Sequence, residues 1–171
     1  FIVVTFGHRG GSPLRDRWYH TYGYGNLRDY PLADDKYGLE QLIDRYPFID
    51  GERVGIFGHS GGGFMSTAAI CTYPDFYKAA VSSAGNHDNN IYNIWWGETH
   101  HGIKERVVTE KKKVKNPVTG KDSTITVKTV EFEKPNIPTN IELASRLKGH
   151  LLSVAGDADN NVHPANTMRM V

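Results

Sequence analysis

The chain has 171 residues, with 20 Lys and Arg against 19 Asp and Glu, and so a formal net charge of +1. So small a charge produces no field strong enough to indicate nucleic acid or an anionic membrane as the partner. The single cysteine, Cys71, excludes an internal disulfide and a cysteine-rich zinc site. No apolar stretch approaches the roughly 20 residues that a membrane-spanning helix needs. The length suits one domain with a sizeable core.

Four short apolar runs predict the strands of one sheet. They are the segments 1–6 (FIVVTF), 53–58 (RVGIFG), 78–85 (KAAVSSAG) and 150–156 (HLLSVAG). Because the runs are continuous rather than alternating, they favour a parallel sheet with helices over both faces. The chain opens directly on the first run without a starting Met, so we expect it to be a piece of a longer protein.

Helical patterns lie between these strands. The segment 30–46 carries apolar residues at helical spacing after Pro31, which suits the first turn of a helix. The segment 62–73 (GGFMSTAAICTY) can be helical until Pro74 stops it. The order strand, helix, strand, helix, strand predicts a doubly wound, mostly parallel α/β layer.

Residues 86–140 break this alternation. The stretch 86–102 is polar and aromatic with little period, whereas 104–133 predicts two alternating strands around the turn signal NPVTGKD. We therefore expect an exposed hairpin inserted between core elements. Its lysines suggest a nucleic-acid patch, but a solvated face is the better interpretation, because glutamates interleave with them. These glutamates are Glu105, Glu110, Glu131 and Glu133.

The pentapeptide 58–62 (GHSGG) fits the pattern G-x-S-x-G between a predicted strand and a predicted helix. In that context Ser60 lies on a tight, strained turn, and Gly58 and Gly62 leave room where side chains would collide. The pattern predicts Ser60 as a nucleophile and the backbone N–H of Gly61 as an oxyanion donor. A phosphate-binding or merely tight glycine turn is the alternative. No Lys follows the glycines as a P-loop requires, and G-x-G-x-x-G does not fit the segment.

A nucleophilic serine needs a base and an orienting acid, which in this fold follow in the order Ser, Asp, His. The strand at 150–156 is followed by Asp157 and Asp159, and on spacing alone either carboxylate could be the acid, or both could only cap a turn. Only His163 follows Asp159, and it is too close in sequence to come from a separate loop. We therefore expect the catalytic His to lie outside this chain and the chain alone to be inactive.

With these residues the chain resembles the catalytic domain of the prolyl oligopeptidase family, in its dipeptidyl peptidase IV branch. Three segments carry the resemblance: FIVVTFGHRGG (1–11), DDKYGLEQLIDRYPFIDGERVGIFGHSGGGF (34–64) and GDADNNVHPANT (156–167). The resemblance covers most of 1–98 and 141–171. It implies an α/β-hydrolase fold, incomplete at both ends, with a hairpin inserted at about 104–133 and with the family's β-propeller and C-terminal His segment absent.

The resemblance also implies an activity and a site. It implies a serine peptidase that releases short peptides through an acyl-enzyme, with a peptide as the partner and a periplasmic or secreted location. It points to Asp159, not Asp157, as the triad acid, and to Asn161 and Val162 as residues that line the substrate pocket.

One departure from the family concerns the pocket wall. Members of this branch often carry Tyr directly after the serine, where this chain has Gly61. Trp95 and Trp96 fall near the position of a pocket aromatic and are candidates to supply that wall, with core packing as the alternative. This departure leaves the preference for proline open.

Two other functions compete with the peptidase: a carboxylesterase with the same strained serine turn, and a non-catalytic binding module of the α/β-hydrolase fold. We expect no cofactor and no metal, because neither Asp157 with His163 nor the pair His100 and His101 has the spacing of a zinc motif. A sheet that ends early at both termini exposes strand edges, so we also expect that copies can associate into a homo-oligomer.

Overall fold

The computed structural model describes residues 1–171. Its α-helices are α1 (Arg17–His20), α2 (Leu32–Arg45), α3 (Gly61–Thr72), α4 (Ile94–His101) and α5 (Ala165–Met168), and a 3₁₀ helix spans Ile141–Arg146. Its strands are β1 (Val54–His59), β2 (Tyr77–Ser83), β3 (Lys104–Lys115), β4 (Asp122–Glu133) and β5 (His150–Val154). None of the helices combines the length and the apolar character that crossing a bilayer requires.

The central sheet has three strands in the order β1, β2, β5, and all of them are parallel. In its register Phe57 lies beside Val81, and Val81 lies beside Leu152. The sequence patterns predicted these three strands and the helices α2 and α3 to within a few residues, and the α/β fold with a mostly parallel sheet is confirmed. Because parallel strands end at the same edge, the loops after β1, β2 and β5 converge there.

Helix α3 packs its apolar residues against one face of this sheet. The buried core consists of residues from α3, the inward positions of β1 and β2, and single residues of α2 and the 3₁₀ helix, and Leu39 and Ile43 of α2 pack against it. Its members are Leu32, Val54, Ala68, Ala69, Ile70, Cys71, Tyr77, Ala80 and Leu143. This core therefore lies against the C-terminal half of α3, while Phe64, in the first turn of α3, packs in a second, smaller cluster with Leu27 and Ile137.

The opposite face of the sheet is open, so the prediction of helices over both faces is wrong for this chain. Side chains alternate between buried and exposed along β1, and Phe57 and Leu152 are 70% and 59% exposed. A continuous apolar run shows that both faces of a strand are apolar, but it does not show which chain segment covers each face.

The segment 1–6 is not a strand, which corrects the first element of the sequence analysis. It pairs with no other strand, and Phe1, Ile2 and Val3 are exposed. A strand needs a neighbour for its backbone N–H and C=O groups, and no strand of the sheet lies alongside this segment. The adjoining residues are held in place, because the Tyr19 hydroxyl donates a hydrogen bond of 2.7 Å to the Gly7 carbonyl.

The predicted hairpin is present. Strands β3 and β4 pair antiparallel without a break, from Lys104 opposite Glu133 to Lys115 opposite Asp122. In the turn the side chain of Asn116 accepts hydrogen bonds from the N–H groups of Val118 and Thr119. This hairpin forms a sheet of its own, separate from the central sheet.

Candidate active site

The turn from β1 to α3 places Ser60 in a strained backbone conformation. Its φ is 56° and its ψ is −119°, a region that residues other than glycine rarely adopt. The Ser60 N–H donates a hydrogen bond of 2.8 Å to the carbonyl of Ser83, at the end of β2. The strained elbow predicted from the sequence is therefore present, and its position is fixed by the neighbouring strand.

The glycines around Ser60 have different roles in this turn. A Cβ on Gly58 would overlap the carbonyl oxygen of Gly62, and a Cβ on Gly63 would lie 2.6 Å from that of Ser83. A Cβ on Gly62 would meet nothing within 4 Å. The prediction that Gly62 must lack a side chain is therefore wrong, since it is the backbone of Gly62 that crowds Gly58.

Gly61 is the first residue of α3, and its N–H has no acceptor within the helix. The first helical N–H in this turn with such an acceptor is that of Phe64, which donates to the Ser60 carbonyl at 3.0 Å. The positive end of the α3 dipole adds to the field at this point. A free N–H beside a serine, at a helix start, can stabilise an oxyanion.

The loop after β5 that carries Asp157 and Asp159, here called the carboxylate loop, reaches the same edge of the sheet as the turn at Ser60, here called the elbow. The carbonyl of Ser83 binds the elbow, and the next residue, Ala84, donates its N–H at 2.7 Å to the carbonyl of Val154, where β5 ends. The turn that begins at Gly156 follows immediately. The end of β2 thus links the serine turn on one side to the carboxylate turn on the other.

The two carboxylates of this loop differ in their surroundings. Oδ1 of Asp159 accepts hydrogen bonds from the N–H groups of Asn161, at 2.9 Å, and Val162, at 3.0 Å, whereas its Oδ2 accepts none within the chain. Asp159 is half-buried, while Asp157 is exposed and its side chain makes no hydrogen bond. Asp159 is therefore held in one orientation with one oxygen left for another donor.

An aromatic pair connects the elbow to the carboxylate loop. A Cβ on Gly61 would lie 3.9 Å from Cζ2 of Trp96, whose ring packs edge-on against that of Tyr92 with centroids 5.8 Å apart. The Tyr92 hydroxyl donates a hydrogen bond of 2.8 Å to Oδ1 of Asn161. The structure thus brings Trp96, Asn161 and Gly61 into one connected group.

Two other candidate pocket residues lie differently. Val162 is only 4% exposed, so its side chain is packed inside the carboxylate loop. Trp95 is 69% exposed and takes no part in the aromatic contacts around Trp96. Sequence reasoning missed Tyr92, although its spacing of four residues from Trp96 was an available signal.

A buried polar loop follows β2, and the sequence analysis did not identify it. The Asn140 amide nitrogen donates hydrogen bonds to Nδ1 of His87, at 3.0 Å, and to the carbonyl of Phe64 in α3, at 2.7 Å. The N–H of Asp88 donates to Oδ1 of Asn166 in α5, at 3.1 Å. The loop after β2 therefore joins the serine helix to the helix that follows the carboxylates.

Burial lowers the pKa of His87 to about 4. The ring is neutral at pH 7, and because Nδ1 accepts from Asn140, its proton lies on Nε2, which has no hydrogen-bond partner in the chain. His87 is therefore a structural residue of this loop.

None of the eight histidines hydrogen-bonds to Ser60 or Asp159. Nδ1 of His59 lies 3.0 Å from Oγ of Ser83, and Nδ1 of His163 accepts from the N–H of Ala165. The chain thus brings together a candidate nucleophile, oxyanion donor and acid without a histidine base in contact with them.

A parallel sheet with a strained serine elbow at its carboxyl edge defines the α/β-hydrolase class. All of the chain, residues 1–171, matches the model of the prolyl oligopeptidase family, and the chain belongs to that family of serine peptidases. The expected resemblance is confirmed.

Several proteins that the chain is similar to are dipeptidyl peptidases by name. It is 32% identical to dipeptidyl peptidase 8 of Homo sapiens over 84 residues, which are 49% of this chain and 9% of that protein. A putative dipeptidyl aminopeptidase IV from Bacteroides ovatus superposes with a TM-score of 0.70 at 25% identity, over 95% of this chain and 19% of that one. Dipeptidyl peptidase 4 of Porphyromonas gingivalis superposes with a TM-score of 0.67 at 26% identity, over 95% of this chain and 20% of that one. The chain thus spans about a tenth to a fifth of these relatives, whose structures confirm the α/β-hydrolase fold.

Proposed function

We propose that this chain carries the nucleophile and the acid of a serine peptidase that releases short peptides from a peptide substrate. The observation that carries the proposal is the conformation of Ser60, whose φ is 56°. Such a conformation costs free energy in a residue other than glycine, and strained residues of this kind cluster at active sites. The names of the relatives support a peptide rather than an ester as the substrate.

Each residue of the connected group has a role in this proposal. Oγ of Ser60 attacks the scissile carbonyl, and its proton passes through a histidine base to the leaving amine, so that an acyl-enzyme forms and the amine departs. The N–H of Gly61 stabilises the oxyanion of the tetrahedral intermediate. Oδ2 of Asp159 accepts the N–H of the base and holds its tautomer. In the second half of the reaction the base takes a proton from water, which attacks the acyl carbon. The proton then passes to Oγ of Ser60, and the acid product leaves.

The substrate pocket belongs to the same proposal. Trp96 supplies an apolar contact, and Asn161, fixed by Tyr92, offers its amide to the substrate backbone. The buried side chain of Val162 supports the loop that carries Asn161 rather than contacting the substrate. Because Gly61 has no side chain, the indole of Trp96 forms the wall beside the serine. Trp95, on the solvent side of α4, contacts a substrate only if the substrate extends outward from this wall.

The chain alone should be inactive, because none of its histidines hydrogen-bonds to Ser60 or Asp159. A serine without its base is a poor nucleophile. Association of copies into a homo-oligomer is also a proposal.

The test is hydrolysis of chromogenic dipeptide substrates by the intact enzyme, with Pro or Ala as the penultimate residue. Ser60→Ala should lower kcat by a factor on the order of 10⁴ to 10⁶ on every substrate. The matched control is Ser83→Ala, which removes a hydroxyl at the same edge of the sheet but keeps the carbonyl that positions the elbow. Ser60→Ala turnover above a few per cent of the wild-type value would contradict the covalent mechanism.

A further inference from the structure

The ribbon formed by β3 and β4 has no partner within the chain. Its strands pair only with each other, and their side chains are exposed apart from the half-buried Val108 and Val127. Twelve residues at about 3.4 Å each make the ribbon about 40 Å long. An isolated two-stranded sheet is at best marginally stable in water, so a ribbon of this length gains from additional strands.

The outer edge of β3 lacks features that commonly block pairing with another strand. The register from Lys104 to Lys115 has no bulge, and the strand contains no proline. Lysines are a further protection for an edge, and in β3 they concentrate at 111–115. The part of β3 most open to pairing is therefore its centre, around Val108.

The charged residues at equal distances on the two sides of Val108 have opposite signs in two cases. Moving outward from Val108, Arg106 corresponds to Glu110, and Glu105 corresponds to Lys111, with opposite charge in both cases. If a second β3 runs antiparallel with the two Val108 residues opposite each other, these residues face one another across the strands. The symmetry produces each pair twice, which gives four opposite-charge pairs, against two like-charge pairs at the ends of the register, where Lys104 lies opposite Lys112.

Other pairings are poorer. An antiparallel pairing centred on Thr109 places Arg106 opposite Lys112, and one centred on Glu110 places two glutamates together. In β4 the comparable pairing, centred on Ile125, joins only Asp122 with Lys128. Among these pairings, the one centred on Val108 of β3 has the most opposite-charge pairs.

The charged groups in question are available for this contact. Glu105, Arg106 and Lys111 are exposed and form no ion pair within the chain, and Glu110 contacts only Lys112, at 3.4 Å on the same strand. We propose that a second copy of this chain pairs antiparallel along β3, with Val108 at the two-fold axis, into a four-stranded sheet. This interface does not depend on the proposed peptidase activity.

The test measures the dimer dissociation constant by sedimentation equilibrium for the wild-type chain and for charge variants. Glu105→Lys and Lys111→Glu each turn two opposite-charge pairs into like-charge pairs, so each should weaken the dimer by about tenfold or more. Within the hairpin these residues face the uncharged Phe132 and Thr126, so the ribbon itself should persist. The double variant Glu105→Lys/Lys111→Glu restores the pairs and should return the dissociation constant to near the wild-type value.

The matched control is Lys128→Glu, which makes the same charge change as Lys111→Glu but on β4, opposite Thr109. It should leave the dissociation constant unchanged. The proposal is overturned if the wild-type chain is a monomer at a concentration of about 100 μM, a protein–protein affinity weaker than about −5.5 kcal/mol. It is overturned equally if the double variant fails to recover the dimer, or if Lys128→Glu weakens the dimer as much as Lys111→Glu does.

Discussion

At the scale of single residues, the elbow depends on one close approach between backbone atoms. Gly58 and Gly62 lie so near each other that any side chain at 58 must displace the first turn of α3, whereas a side chain at 62 points into open space. The serine and its oxyanion donor belong to that same turn. The two glycines of one motif should therefore tolerate substitution very differently.

Gly58→Ala should destabilise the chain by about 1–3 kcal/mol, the typical cost of forced overpacking, because its Cβ meets backbone rather than a flexible side chain. Gly62→Ala should be neutral or stabilising by up to about 1 kcal/mol, since alanine is favoured over glycine inside a helix. Urea unfolding of both variants is the measurement. A loss for Gly62→Ala that equals the loss for Gly58→Ala would show that the elbow is packed differently.

The neighbouring carboxylates provide a second matched pair. In the intact enzyme Asp159→Asn should lower kcat by about 10⁴, because the base is left in the wrong tautomer. Asp157→Asn should cost far less, since the side chain of Asp157 makes no hydrogen bond in the chain. Parallel rate measurements decide the matter, and an equal or larger loss at Asp157 would transfer the role of acid to it.

At the scale of elements, the loop after β2 joins α3 to α5 through buried polar side chains. Its hydrogen bonds connect residues far apart in sequence, such as His87 with Asn140 and Asp88 with Asn166. A buried polar network of this kind keeps its neighbours in one arrangement only while its groups remain paired and neutral. Acid should therefore weaken the contact between the two helices.

The pKa of His87 gives the direction and the range of this effect. The ordinary histidine pKa is about 6.5 and the folded value is about 4, so between these pH values the unfolded chain binds a proton that the folded chain does not. The free energy of unfolding should fall by up to about 3 kcal/mol as the pH drops from 6.5 to 4. In His87→Gln this slope should be reduced, as followed by urea unfolding across the range, and an unchanged slope would contradict the account.

How far the sequence predicts these elements depends on whether the signal is local. Strands β1, β2 and β5 and helices α2 and α3 were predictable, because apolar runs, glycines and prolines mark them within a few residues. Helix α4 was missed, since Ile94, Trp95 and Trp96 are consecutive apolar residues and show no helical period. The segment 1–6 was wrongly predicted as a strand, because its pairing depends on a neighbour that its own residues do not specify.

In the candidate site, too, features with a local sequence signal were predictable and long-range contacts were not. The strained turn at Ser60 was predictable from a strand, three glycines and a helix in succession. The link from Tyr92 to Asn161 joins residues 69 apart in sequence, and the link from Asn140 to His87 joins residues 53 apart. Such contacts arise from the packing of the whole sheet, so no local pattern indicates them.

At the scale of the whole molecule, one face of the sheet carries the site's support and the other remains apolar and open. Helix α3 begins at the serine turn and packs against one face through the buried core, while Phe57, Val81 and Leu152 form an exposed row on the far side. The hairpin projects as a separate ribbon. The chemistry is thus concentrated at the carboxyl edge of the sheet, where the loops after all three strands meet.

The central claim is that Ser60 is the nucleophile, and a fluorophosphonate probe tests it most directly. The intact enzyme is treated with the probe and digested, and mass spectrometry locates the covalent adduct. We predict a single adduct on Ser60, absent from Ser60→Ala and unchanged in Ser83→Ala, because only Ser60 combines a strained serine backbone with a free helix N–H beside it. An adduct on another serine, or none on Ser60 in an enzyme that is turning over substrate, would contradict the account.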